Sequence, residues 1–241
     1  MFAAIRAARS HVNLETFIFE DGDIGQRFAD LLIERQKAGV QINIIYDSVG
    51  ALMTPQGFFE RLRDAGVQVV EFNPVNPLTK NAKPWLLNNR DHRKLLVVDG
   101  RIAFTGGINI SDTYSSSPSG GSSPKFSVDV ADGAAGWRDT HVQIQGPVVA
   151  EFQRLFIDTW IRQSGPPMER RIYFPELKPQ GEEIVRAIGS TPDDPHSLIY
   201  LTLISAISHA EKEINLTIAY FAPDPQLLDA LKDAARRGVI V

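Results

Sequence analysis

The sequence predicts an α/β fold in which helices pack on a mixed β-sheet. Over the first 72 residues, amphipathic helical stretches alternate with short apolar strands, an order typical of helices packed on a largely parallel or mixed sheet. The same helix–strand pattern begins a second time near the C-terminal end. These two observations predict duplicated α/β lobes, the second of which is truncated in this chain.

The first part of the chain contains six predicted elements. Each has the periodicity and length of a helix or a strand, and turns with Gly, Asp or Ala separate them. They are a helix over residues 2–10, a strand over Val12–Phe19, a helix over 24–37 with Asp23 as its N-cap, a strand over Val40–Asp47, a helix over Pro55–Ala65 and a strand over Val67–Phe72.

The next part alternates short elements with irregular stretches. Residues 73–91 are rich in Pro and Asn, and residues 111–136 are rich in Ser, Gly and Asp, which predicts a surface loop. Between and after them we predict strands over Lys94–Val98, Ile102–Thr105 and Thr140–Gln145 and a helix over Pro147–Arg162.

An internal repeat defines the domain organisation. Residues 4–14 align without a gap with residues 206–216, and six of these eleven positions are identical or exchange Val for Ile. A helix–strand–helix–strand unit therefore starts twice, 202 residues apart. We predict a first lobe over 1–163, a linker over 164–195 and the start of a second lobe over 196–241.

Composition excludes several classes of protein. The chain has 241 residues, 43% of them hydrophobic, and a net charge of −4, so it is not disordered and has no overall attraction for anions. It has no cysteine, which excludes disulfides and thiolate chemistry. No apolar run reaches the length of a membrane-spanning helix, and the N-terminal stretch lacks the features of a secretory signal.

The residues His92, Lys94 and Asp99 form the pattern His-x-Lys-x4-Asp in the sequence HRKLLVVDG. Residues two apart on an extended strand share a face, so His92 and Lys94 can reach one ligand together. Asp99 lies at the turn into Gly100, where we expect it to brace a hairpin rather than to contact substrate. A neutral imidazole is a competent nucleophile, and an ammonium group stabilises the charge that develops on a phosphoryl group.

Two further residues complete the predicted site. Asn109 follows Gly106-Gly107-Ile108, where a glycine pair permits close approach of an anion and the amide can donate to a phosphoryl oxygen. Asp139 opens a later strand, and its carboxylate could accept a hydrogen bond from the His92 ring and fix the tautomer. The acidic residues are too scattered for an oxygen-ligand cage, so we expect neither a metal nor another cofactor.

These residues resemble the HKD motif of the phospholipase D superfamily. The segments NNRDHRKLLVVDGRIAFTGGINIS and WRDTHVQIQGPVVAEFQRLFIDTW are similar to the first lobe of bacterial cardiolipin synthases, and AYFAPDPQLLDALKDAARRGVIV is similar to the start of their second lobe. The resemblance implies a phospholipase D-like α/β/α sandwich. It also implies a metal-independent phosphatidyl transfer in which two phosphatidylglycerols yield cardiolipin and glycerol through a phosphatidyl-histidine.

The same resemblance assigns roles to single residues. His92 is one motif histidine, Lys94 and Asn109 bind the phosphoryl oxygens, Asp139 orients His92, and Asp99 completes the motif structurally. A second His-x-Lys-x4-Asp does not occur in residues 100–241, so this chain carries half of the expected site. We therefore expect the isolated chain to be inactive until a second lobe is supplied in cis or a second copy in trans.

Two other functions stay open at this point. The superfamily also contains phospholipases and nucleases that hydrolyse phosphodiesters, and a lobe of a duplicated enzyme can serve only for binding or dimerisation. A negative net charge, with a modest basic patch at Lys80, Lys83, Arg90 and Arg93, favours an anionic lipid headgroup over nucleic acid. We expect a phosphatidylglycerol substrate at the cytoplasmic membrane, with peripheral attachment or anchoring by segments outside this chain. Trp85–Leu87, beside Lys80 and Lys83, is either an interfacial loop or an internal loop that packs over the sheet.

Overall fold

The computed structural model describes residues 1–76, 88–114, 139–191, 197–218 and 220–241. These residues form two compact units, Met1–Ala187 and Ile188–Val241. The predicted interfacial loop Trp85–Leu87, with Lys80 and Lys83, and most of the predicted surface loop 111–136 lie outside the described residues.

The first unit contains four α-helices and six strands among its described residues. In chain order they are α1 Phe2–Ala7, β1 His11–Thr16, α2 Asp23–Lys37, β2 Gln41–Asp47, α3 Gln56–Asp64, β3 Gln68–Phe72, β4 Leu95–Val98, β5 Ile102–Gly106, β6 His141–Gln145 and α4 Val149–Arg162. A short 3₁₀ turn covers Asp112–Tyr114. Each predicted helix and strand of this part is present, with ends that differ by a few residues.

The six strands form one sheet in the order β3-β2-β1-β4-β5-β6. β1, β2 and β3 pair in parallel, whereas β4 is antiparallel to β1 and to β5, and β5 is antiparallel to β6. The predicted mixed sheet and α/β class are therefore confirmed. The parallel half is connected through α2 and α3, as parallel pairing requires, and the antiparallel half through a short turn between β4 and β5.

Helices cover both faces of the sheet. On one face, Val12, Leu14 and Ile42 pack in a buried cluster with residues of α1, α2 and α3, such as Phe28 and Phe59. On the other face, the central strands contribute Ile45, Val97 and Ala103 to a cluster with Phe156 and Trp160 of α4. This arrangement is the α/β/α sandwich that the sequence predicted.

Two local predictions were wrong. β1 ends at Thr16 rather than Phe19, since Thr16 Oγ1 donates to the Ile18 carbonyl and turns the chain out of the sheet. Asp23 is not the N-cap of α2: Gly22 holds that position, and the carboxylate of Asp112 accepts from the N–H groups of Asp23 and Ile24 at 2.8 and 2.7 Å. The cap is supplied by a residue about 90 positions away in the chain.

Residues 164–187 lie against the first unit and belong to it. Met168, Leu177 and Ala187 pack on the cluster under α4, and the ring of Tyr173 lies 4.5 Å from the ring of His11. The boundary between compact units thus falls after Ala187, within the segment that the sequence suggested as a linker.

The second unit contains α5 Leu198–His209 and α6 Pro225–Arg236, which share a small apolar cluster with Ile207, Leu231 and Ala234. Its two predicted strands amount to one parallel bridge between Glu213 and Ile240, since only Val241 follows Ile240 in the chain. Ile240 N–H donates to the Lys212 carbonyl, as Gln41 N–H donates to the Ser10 carbonyl in the first unit. The bridge therefore has the position that the repeat gives to the His11–Gln41 pair of β1 and β2.

Candidate active site

His92 and Lys94 immediately precede β4, the strand that joins the parallel and antiparallel halves of the sheet. The His92 side chain is exposed, whereas Lys94 is only 5% exposed and its Nζ donates to the His92 carbonyl oxygen at 2.8 Å. The predicted strand start at Lys94 is one residue early, because pairing begins at Leu95. The buried run Leu95–Val98 anchors the pair on a rigid element.

The ring of Phe17, just beyond β1, contacts both members of the pair. Its centroid lies 4.7 Å from that of the His92 ring, and Lys94 Nζ lies 5.1 Å from it, within range of a cation–π interaction. The structure thus brings His92 and Lys94 together around Phe17, a residue that sequence reasoning missed. The only signal in the sequence was an aromatic residue near the end of the predicted strand Val12–Phe19.

Electrostatics prepare the two groups differently. Removal of solvent by the surrounding protein, together with the Lys94 charge, lowers the pKa of His92, while Asp91 acts in the opposite sense. A neutral imidazole at neutral pH is the form that a nucleophile needs. Burial lowers the pKa of Lys94 to about 8, and Asp91, Asp139 and Asp47 oppose this shift. Lys94 is thus mostly cationic at neutral pH although it is buried.

Asn109 is buried beside the turn that follows β5. Its Oδ1 accepts from the Ile18 N–H at 3.2 Å and its Nδ2 donates to the Tyr114 hydroxyl at 3.0 Å. An amide nitrogen carries two hydrogens, and among the described residues only Tyr114 accepts from Asn109 Nδ2. The residue also links the segment after β1 to the segment after β5, a structural part that the sequence did not indicate.

Asp139 lies over the glycine pair. Its Oδ1 accepts from the Thr140 N–H at 2.7 Å, and a side chain at position 107 would collide with its carboxylate. Gly107 therefore permits the close approach of this carboxylate. Asp139 affects Lys94 electrostatically, but within the described segments no hydrogen bond joins it to His92.

Asp99 holds the start of β1. Its carboxylate accepts from the N–H groups of Arg9, Ser10 and His11 at 2.9, 2.8 and 2.9 Å, and its φ of 53° helps to form the turn between β4 and β5. The other end of β4 therefore carries His92 and Lys94, away from Asp99. This geometry fits the expected bracing role.

Beneath the pair lie carboxylates that sequence reasoning did not identify. Asp47, at the end of β2, is fully buried; its Oδ1 accepts from the N–H groups of Val49 and Gly50, and its Oδ2 accepts from that of Asp91 at 2.8 Å. Burial raises the pKa of Asp47, and these hydrogen bonds together with Arg90 oppose the rise. Glu15 of β1 is also fully buried and pairs with Arg93 at 2.8 Å.

The predicted basic patch is therefore smaller than the sequence suggested. Arg90 lies 3.7 Å from the Asp47 carboxylate and Arg93 reaches Glu15, so both guanidinium groups face buried carboxylates. In the described part of the chain, no group of three or more His, Cys, Asp or Glu is arranged to hold a metal ion. No helix there has the length and hydropathy to cross a membrane.

The mixed sheet and the His-x-Lys pair before its central strand define a phospholipase D-like domain. Residues 1–117 match the family described as the cardiolipin synthase, PLD-like domain. This first part of the chain therefore belongs to the phospholipase D superfamily, and within it to the family of cardiolipin synthase domains.

Two curated relatives agree with this membership. The chain is 35% identical to a cardiolipin synthase of Alkalihalophilus pseudofirmus, over 99% of this chain and 44% of that protein. It is 34% identical to the major cardiolipin synthase ClsA of Bacillus subtilis, over 100% of this chain and 47% of that protein. Among solved structures, it is similar to a phospholipase D family member, Nuc, from Salmonella typhimurium, with a TM-score of 0.44, 17% identity, and coverage of 68% and 86% of the two chains. The chain spans about half the length of the curated relatives it matches.

Proposed function

We propose that this chain is the first half of a phosphatidyltransferase of the cardiolipin synthase type. The observation that carries the proposal is an exposed, neutral His92 and a buried, cationic Lys94 that both contact the Phe17 ring, in a chain similar to this family. The pair combines a nucleophile with a fixed positive charge for a phosphoryl oxygen.

In the proposed reaction, a His92 ring nitrogen attacks the phosphorus of phosphatidylglycerol. A phosphorus–nitrogen bond forms and the bond to the glycerol oxygen breaks, and the leaving glycerol takes a proton from the histidine of a second motif. A hydroxyl of a second phosphatidylglycerol then gives its proton to that second histidine and attacks the phosphorus; the phosphorus–nitrogen bond to His92 breaks and cardiolipin is formed. Lys94 and Asn109 are the proposed partners of the phosphoryl oxygens, and Asp139 acts on the site through its charge.

The second motif histidine must come from outside residues 1–241, because a second His-x-Lys-x4-Asp does not occur in this chain. We propose that it belongs to a second lobe in cis, whose start is residues 196–241, or to a second copy in trans. The substrate places the protein at the cytoplasmic membrane, attached peripherally or through segments outside the chain. No nucleic acid is expected, and Arg90 and Arg93 are engaged with buried carboxylates.

The test compares the 241-residue chain with a fusion to the C-terminal half of a cardiolipin synthase relative. Both are incubated with phosphatidylglycerol vesicles and, separately, with plasmid DNA. We expect cardiolipin and glycerol from the fusion, none from the monomeric chain, and a loss of at least about 10³-fold with His92→Ala. His209→Ala is the matched control, because His209 is exposed on α5 and its Nδ1 contacts the Ser205 carbonyl.

The other outcomes separate the alternatives. Phosphatidic acid without cardiolipin would indicate a phospholipase, and cleaved plasmid would indicate a nuclease. Cardiolipin formation that survives His92→Ala would leave the first lobe a role in binding or dimerisation only. Turnover by the monomeric 241-residue chain would refute the proposal of a half-site.

A further inference from the structure

Two buried carboxyl groups, those of Glu15 and Asp91, face each other beside His92 and Lys94. The proposed function gives neither of them a role, apart from the effect of the Asp91 charge on His92 and Lys94. Glu15 lies on β1 opposite Leu95 of β4 and is fully buried; Asp91 precedes His92 and is 6% exposed. Glu15 Oε1 accepts from Arg93 Nη1 at 2.8 Å, and Asp91 Oδ1 accepts from the Arg93 N–H at 3.0 Å.

The remaining oxygen of each carboxyl group, Glu15 Oε2 and Asp91 Oδ2, is buried without a donor from any described residue. The two side chains are within hydrogen-bonding reach of each other. Two ionised carboxylates in contact away from water repel strongly, whereas a single shared proton satisfies both oxygens. Burial and the neighbouring Asp91 charge raise the pKa of Glu15 well above its usual value, so Glu15 is the member that keeps the proton.

We propose that protonated Glu15 donates a hydrogen bond to Asp91, and that the pair positions His92 and keeps one negative charge on Asp91 beside His92 and Lys94. The residues on both sides of His92 are then fixed, because Asp91 and Arg93 are each tied to Glu15. The inference rests on the proposed function in taking His92 and Lys94 as the reacting groups. Glu15 and Asp91 are positioning residues, since they act on substrate only through that pair.

The charged groups around Glu15 and Asp91 favour one negative charge on these two carboxyl groups rather than two. Arg93 is its nearest cation, and it is shared with α4, where it donates to Thr159 Oγ1 at 2.9 Å and to the Leu155 carbonyl at 3.4 Å. Asp47 adds a further carboxylate from β2, and it contacts the Asp91 N–H. The charged and titratable groups that face the pair are thus Arg93, Asp47, Arg90, Lys94 and His92.

The first experiment detects the proton directly in the unaltered chain. The 241-residue protein is labelled with ¹³C at the glutamate side-chain carboxyl, and the signals are followed by NMR through neutral pH; the Glu15 signal is the one missing in Glu15→Gln. We expect the Glu15 carboxyl to stay protonated at neutral pH. A spectrum in which every glutamate carboxyl is ionised at neutral pH would overturn the proposal, and that result needs no assignment through a variant.

The second experiment follows the pKa of His92 by NMR titration in Glu15→Gln, Asp91→Asn and the surface control Glu151→Gln. Glutamine imitates a protonated glutamate, because its amide can donate to Asp91 and accept from Arg93. We expect the His92 pKa to stay at its wild-type value in Glu15→Gln and Glu151→Gln, and to move downward in Asp91→Asn, which loses the opposite charge.

A downward shift in Glu15→Gln as large as that in Asp91→Asn would place the charge on Glu15 and refute the proposal. An unchanged His92 pKa in Asp91→Asn would show that Glu15 and Asp91 do not act on His92. A purely structural role for both residues would not lower the His92 pKa in Asp91→Asn while leaving it unchanged in Glu15→Gln. Neither experiment uses a substrate, so a failure of the proposed transferase activity would leave both results interpretable.

Discussion

Replacing Asp99 with Ala should destabilise the first unit strongly without removing any group that contacts substrate. The carboxylate holds the Ser10 and His11 N–H groups at 2.8 and 2.9 Å in a partly buried place, and the Arg9 N–H at 2.9 Å in an exposed one. A hydrogen bond to a charged acceptor contributes about 1.5 kcal/mol or more, and water can replace the exposed bond, so two losses cost about 3 kcal/mol. Ala at a φ of 53° adds about 1 kcal/mol.

The assay is equilibrium urea unfolding of the 241-residue chain, followed by the fluorescence of buried Trp160 with Trp85 and Trp137 replaced by Phe. Asp99→Asn is the matched control, since Asn tolerates positive φ and keeps one acceptor oxygen, and we expect it to lose only about 1 kcal/mol. An Ala variant as stable as the Asn variant would refute the bracing role. A stable Ala variant whose fusion has lost turnover would instead indicate that Asp99 acts on substrate.

Three further predictions use other parts of the structure. Burial lowers the pKa of His11 from 6.5 to about 4, so the unfolded state binds more protons between these values. The free energy of unfolding should therefore fall by about 3 kcal/mol as the pH drops through this window. His11→Asn should remove most of this pH dependence, measured by urea unfolding at neutral pH and at about pH 4, and an unchanged pH dependence in this variant would contradict the prediction. Asp112→Ala should cost about 1–2 kcal/mol by removing the cap of α2, and Asp112→Asn less; equal stability of the two variants would exclude the capping role. The activity of the fusion should rise with pH as His92 loses its proton, and fall as the pH passes through about 8, where Lys94 loses its proton. The residual activity of Lys94→Arg should not fall at this pH, because arginine stays charged. A fall at the same pH in that variant would assign the alkaline limb to another group.

The sequence was sufficient for the parts of the fold and site that depend on short-range patterns. Hydrophobic periodicity predicted every α-helix and strand of the first unit, since each is built from contiguous residues with one periodicity, but not the 3₁₀ turn Asp112–Tyr114. The spacing of His92 and Lys94 predicted that both lie at the start of one buried strand, and the Asp-Gly turn placed Asp99 at its other end. In each case the physical cause operates within about ten residues.

What the sequence did not reveal depends on contacts between distant segments. Asp91 contacts Asp47 across 44 positions, Arg93 contacts Glu15 across 78, and Asp112 caps α2 across 89. Charged residues are mostly exposed in folded proteins, so composition favoured a surface patch at Arg90 and Arg93. The strand order places β1 beside both β2 and β4, and only this arrangement shows that Arg90 and Arg93 contact buried carboxyl groups.

The buried carboxylates explain how Lys94 can be both buried and charged. Burial alone favours the neutral amine, and Asp91, Asp139 and Asp47 each raise the pKa again, to about 8 in total. These three residues come from the loop before β4, the start of β6 and the end of β2, so the charge on Lys94 depends on the assembled sheet and not on the motif alone. A phosphodiester bound at Lys94 would add a further negative charge in the same buried place and raise its pKa again. If Lys94 holds the phosphoryl group as proposed, substrate binding and protonation of Lys94 are linked: the charged lysine favours the anion, and the bound anion keeps the lysine charged.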